Sequence, residues 1–68
     1  MEKGIANLGR NLHVLLYDKK MTKTELAEKT GVSQAMISSI VLGQKKPGAE
    51  TLIRIAQVLD VTVDELIK

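Results

Sequence analysis

The chain offers few side chains for chemistry. Its single histidine, His13, has no nucleophile or paired base in reach along the sequence, and there is no cysteine to attack a substrate or ligate a metal. One histidine cannot assemble a zinc site unaided. The carboxylates serve as helix caps, as with Glu25 and Glu65, or as surface charges on helices. Gly43 and Gly48 flank a turn without the spacing of a phosphate-binding loop. No enzyme activity, metal or cofactor is therefore expected. What remains is hydrogen bonding and charge, carried by Gln34, Ser38 and Ser39 and by lysines that include Lys23, Lys45 and Lys46.

The charge is unevenly distributed. Net charge is only +2, yet residues 1–48 hold eight basic against four acidic groups, a local +4. Residues 49–68 hold two basic against four acidic, a local −2. One end can face a polyanion while the other faces away, as in a small nucleic-acid binder. An ordinary solvated surface would give the same tally, so charge alone does not choose.

Length sets further bounds. Sixty-eight residues make one domain, 1–68, whose folding buries roughly 60% of the unfolded surface, too little for a large cleft. The absence of cysteine suits a reducing cytoplasm. No apolar run approaches the about 18 residues of a membrane span, and MEKGIANLGR lacks the apolar stretch of a secretory signal. No membrane association is expected, and Met1 suggests a natural start.

The elements that position these groups are all helical. Ile5, Leu8, Leu12, Leu15 and Leu16 recur at helical spacing, which predicts a helix over 5–19 with Asn7, Arg10, Val14 and Tyr17 on its outer side. Thr22 and Glu25 form a capping box that starts a second helix at Lys23. Gly31 ends it near Lys29, and Val32 is expected as a buried pivot. Ser33 caps a third helix reaching Leu42, stopped by Gly43 and followed by the polar turn Gln44-Lys45-Lys46-Pro47-Gly48. Leu52, Ile55, Ala56 and Leu59 mark a fourth helix over 49–59, with Asp60 in place of the usual terminal glycine. Thr62 and Glu65 repeat the capping box for a short fifth helix with Val63, Leu66 and Ile67 on its apolar side. The fold class expected is all-α, a compact bundle of five helices around one core.

Residues 23–40 meet the requirements of a helix-turn-helix. Two helices joined by so tight a turn need a small residue in the first, here Ala27, and a glycine in the turn, here Gly31. Leu26, Val32, Ile37 and Ile40 wedge the pair together.

The stretch M-T-K-T-E-L-A-E-K-T-G-V-S-Q-A-M-I-S-S-I-V-L-G-Q-K-K-P resembles the phage repressor and Cro type, or XRE-like, helix-turn-helix domain. A-E-T-L-I-R-I-A-Q-V-L-D-V-T-V-D-E-L is similar to its fourth and fifth helices, so the likeness covers nearly the whole chain. It implies a bacterial or phage-encoded cytoplasmic protein that binds duplex DNA sequence-specifically, usually as a homodimer on a two-fold symmetric operator. The third helix would enter the major groove. On its outward face Gln34 stands at the first base-reading position, where its amide can pair with adenine N6 and N7. Ala35 can lie against a thymine methyl, Ser39 matches a further base-reading position, and Ser38 divides between base edge and solvent. Lys23, Lys45 and Lys46 match the family's phosphate clamps.

Four positions depart from the family pattern. An arginine in the first helix and a glutamate late in the third are commonly paired, and here those positions hold Leu16 and Val41, which are expected to touch. Leu42 replaces a phosphate-gripping polar residue, and Gly48 replaces a serine cap. The implied function is a transcription regulator, with repression the expected mode of action. The competing function is a protein-interaction module, such as an antitoxin or coactivator of the same fold. For dimerisation or a partner, Val63 and Ile67 near the C-terminus compete with Val14 and Tyr17, and the C-terminal region is the expected choice because the family often dimerises there.

Overall fold

Capping chemistry sets most of the helix limits. The computed structural model of the chain describes residues 3–68, with side chains from residue 7 onward. It contains α1 (Lys3–Asp18), α2 (Lys23–Thr30), α3 (Gln34–Val41), α4 (Ala49–Leu59) and α5 (Val63–Ile67), with no strand among the described residues. At Thr62 the hydroxyl accepts from the Glu65 N–H at 3.1 Å, and Glu65 Oε1 accepts from the Thr62 N–H at 2.9 Å. Gly48 offers no side-chain cap to α4.

Three helices close with the same paired bonds, one residue in the left-handed region. Gly43 does this for α3, Lys20 for α1 and Asp60 for α4, at φ 77°, 55° and 58°. The Met21 N–H reaches the Leu16 carbonyl at 2.9 Å and the Val61 N–H reaches that of Ala56 at 3.0 Å, the longer bond of a Schellman motif. A side chain at such a position costs roughly 1–2 kcal/mol, which Lys20 and Asp60 incur and Gly43 avoids.

The core takes Leu8, Leu12 and Leu16 from α1, Leu26 and Ala27 from α2, and Ile37 and Ile40 from α3. Ile55, Ala56 and Leu59 of α4 and Leu66 of α5 complete it. α1 lies against α5 and α3, while α2 lies against α3 and α4. Leu16 is buried and Val41 packs against the same core, so neither of these positions strands a charge. The Ile5 side chain, expected on the inner face of α1, lies outside the described residues.

The helices differ from expectation in a few details. α1 ends at Asp18 rather than Lys19, α2 runs on to Thr30, and α3 spans Gln34–Val41 with Leu42 as its cap. Val32 is half-buried rather than buried, because it sits at the edge of the α2–α3 wedge and leaves the centre to Leu26, Ile37 and Ile40. Asn7, placed on the outer side of α1, instead donates through Nδ2 to the Lys68 carbonyl at 2.9 Å. Asn11 donates to the Leu66 carbonyl at 2.8 Å, so the two amides bind the unsatisfied C-terminal carbonyls of α5 to α1.

Candidate nucleic-acid interface

The interface begins where α2 begins. The Thr22 hydroxyl accepts from the Glu25 N–H at 3.0 Å and Glu25 Oε1 accepts from the Thr22 N–H at 3.0 Å, which fixes Lys23 at the first turn. Lys23 is half-buried and shares a recess with His13, Tyr17 and Thr22. At the other end of α2, Gly31 adopts φ 77° and its N–H donates to the Ala27 carbonyl at 2.9 Å. Ala27 is buried, and its small side chain lets α3 approach.

Thr30 supplies what the sequence reading missed. Buried, its hydroxyl donates to the Leu26 carbonyl at 2.7 Å and accepts the Val32 N–H at 3.2 Å. One side chain therefore ties the last turn of α2 to the residue beyond Gly31. A threonine just before a helix-ending glycine was the available signal, since a helical hydroxyl readily bonds the carbonyl four residues back. From α4, Arg54 pairs with Glu50 at 3.0 Å and lies beside the turn: a Cβ built on Gly31 would sit 4.0 Å from its Nη1. This pair is well exposed, so its own contribution is about 0–1 kcal/mol.

α3 is oriented by two opposite features. Ser33 accepts from the Met36 N–H at 3.1 Å, and Ile37 and Ile40 are buried against the bundle. Gln34 and Ala35 are thereby left exposed, Ser38 and Ser39 half-buried, and Leu42 protrudes at 66% exposure. Ala35, Ser39 and Lys45 line one open recess with Ser33 and Met36, so methyl, hydroxyl and ammonium groups share a face. Gln34 lies at the neighbouring recess with Thr24, Gly31 and Glu28. Glu28 is an acidic group beside the proposed reading head that its place in the charge tally did not reveal.

After α3, the Gln44 N–H donates to the Ser39 carbonyl at 2.8 Å, and Lys45 and Lys46 are exposed. Pro47 is buried and anchors the far end of this loop. Val14 and Tyr17 are exposed on α1, at 49% and 81%, whereas Val63 and Ile67 are half-buried and packed against the core. Among the described residues no group of three or more His, Asp or Glu side chains is placed to hold a metal, and no helix is long and apolar enough to cross a membrane. The geometry offers hydrogen-bond donors and acceptors on a helix edge, flanked by cations.

Comparison with known proteins places this arrangement. A helix-turn-helix family model matches residues 15–66. An uncharacterized HTH-type transcriptional regulator, YqaE of Bacillus subtilis (strain 168), is 36% identical over 58 residues, covering 85% of this chain and 50% of its own length. A second, y4dJ of Sinorhizobium fredii (strain NBRC 101917 / NGR234), is 35% identical over 60 residues, covering 88% of this chain and 78% of its own. The chain thus spans half the length of the first relative and about three-quarters of the second. No solved structure matches significantly. With five helices, a glycine-hinged pair at its centre and most of its length within the matched region, the chain belongs to the XRE-type helix-turn-helix family.

Proposed function

We propose that this chain is a sequence-specific duplex-DNA-binding regulator of transcription, acting as a cytoplasmic repressor and a homodimer on a two-fold symmetric operator. The observation that carries the reading is the outward face of α3, where Gln34 and Ala35 are exposed and Ser39 shares a recess with Lys45. In the major groove a Gln amide pairs bidentately with adenine, an alanine methyl meets thymine, and a hydroxyl donates or accepts. Ser38 stands beside them. Lys23, Lys45 and Lys46 would hold phosphates on either side and set the register, which supplies affinity without reading sequence. A repressor of this kind acts by occupying a site that transcription needs. The names of the two relatives, both HTH-type transcriptional regulators, support the same class.

The experiment is selection of bound sequences from a random duplex library, followed by fluorescence anisotropy on the selected site and on random duplex across a salt series. A two-fold symmetric consensus and a negative salt slope are the expected results. Lack of binding to any duplex at low salt would overturn the proposal and turn attention to the second reading, a protein-interaction module. That reading draws on the exposed Val14 and Tyr17, which DNA contact does not explain.

A further inference from the structure

We infer that the outer face of α1 is a self-association surface, on which a second copy of this chain lies antiparallel with the two Val14 side chains at the two-fold axis. The inference rests on the homodimer of the proposed function and deepens it by naming the contact surface, which is tested on the protein free of DNA. Among the exposed large apolar residues, Val14 and Tyr17 both belong to α1 and lie one turn apart. Val63 and Ile67, the competing pair, are packed against the monomer's own core and leave less apolar surface for a partner.

The occupant follows from charge. A helix turns about 100° and rises about 1.5 Å per residue, so Arg10 and Asp18 lie about 40° to either side of Val14 and about 6 Å toward opposite ends. Tyr17 lies on the same side of the stripe as Arg10. Arg10 and Asp18 are both exposed, and neither has an ion-pair partner among the described residues. Turning a second helix end for end about Val14 brings its Arg10 level with Asp18 and Tyr17 of the first, and the reverse contact forms by symmetry. Each guanidinium can meet a carboxylate and stack on a tyrosine ring at once. The face of one 16-residue helix is small beside the roughly 800 Å² per partner of a standard interface, so the dimer is weak and concentration-dependent.

Sedimentation equilibrium of the DNA-free protein over a concentration series tests this, with circular dichroism confirming that every variant is helical. The wild type should pass from one chain toward two. Arg10→Asp sets acid against acid and Asp18→Arg sets base against base, so each variant alone should associate more than tenfold less tightly. An equimolar mixture of the two restores both opposite-charge contacts and should associate like the wild type. Tyr17→Ser, which leaves the charges intact, should also weaken association. A monomeric wild type, reversals that leave association unchanged, or a mixture that fails to recover it would each overturn the inference. None of these outcomes bears on DNA binding, which anisotropy reads separately.

Discussion

Gly9 lies against the carbonyl of Val41, so that α1 and the end of α3 meet backbone to backbone. A Cβ built on Gly9 would fall 2.8 Å from the Ile40 carbonyl oxygen and closer still to that of Val41, and both obstructing atoms are main chain. Gly9→Ala cannot be relieved by rotating a side chain. Overpacking of this kind costs about 1–3 kcal/mol, more than the roughly 1 kcal/mol that alanine gains in helix propensity. The urea midpoint should fall, and an equal or higher midpoint would show that α1 and α3 do not approach this closely.

Base reading and phosphate holding separate in a second measurement. Gln34→Ala should lower affinity for the selected duplex by about 1–3 kcal/mol while leaving random duplex nearly unchanged. Lys45→Ala should weaken both alike and reduce the magnitude of the salt slope by about one phosphate contact. Equal losses on both duplexes for Gln34→Ala would remove it from the reading face.

Thr30→Val keeps the shape of the side chain and deletes its hydroxyl. The Val32 N–H, half-buried at the turn, then loses its hydroxyl acceptor, a net cost of about 0.5–1.5 kcal/mol. Because the hydroxyl ties the last turn of α2 to Val32, amide exchange at Val32 should quicken. Wild-type stability in this variant would mean that the hydroxyl is replaceable by water.

Glu65 gives α5 a pH dependence. The Thr62 N–H bond holds its carboxyl below the ordinary value of 4.5, against desolvation and with help from the Thr62 hydroxyl, Lys68 and Lys19. A carboxyl depressed in the folded state stabilises above its unfolded pKa, and that contribution is lost as pH falls through the folded pKa. Stability should therefore decline on acidification below about pH 4.5. Glu65→Gln, which keeps an acceptor without the charge, should flatten that part of the profile in urea titrations between pH 6 and 3. An unchanged acid slope would assign it to other carboxylates.

The sequence by itself determined the five helices and the central motif, because their signals are local. A threonine three residues before a glutamate, a serine ahead of an apolar run, and Gly31 and Gly43 at helix ends each act within one turn of chain. The outward face of α3 was legible for the same reason, since burying Ile37 and Ile40 leaves Gln34 and Ala35 exposed by helical geometry alone. Only the tertiary structure decided what depends on residues distant in sequence. Nothing in the residues next to Gly9 marks it, and only the fold brings Val41 against it, 32 positions along. Helical spacing put Asn7 on the outer side of α1, yet the fold sets it and Asn11 against the last carbonyls of the chain. Val63 and Ile67 stood on the apolar side of the fifth helix as candidates for a partner, yet the core half-covers them, while Val14 and Tyr17 stay exposed. Periodicity tells which residues share a face, but whether that face is covered depends on which other helix the fold lays across it.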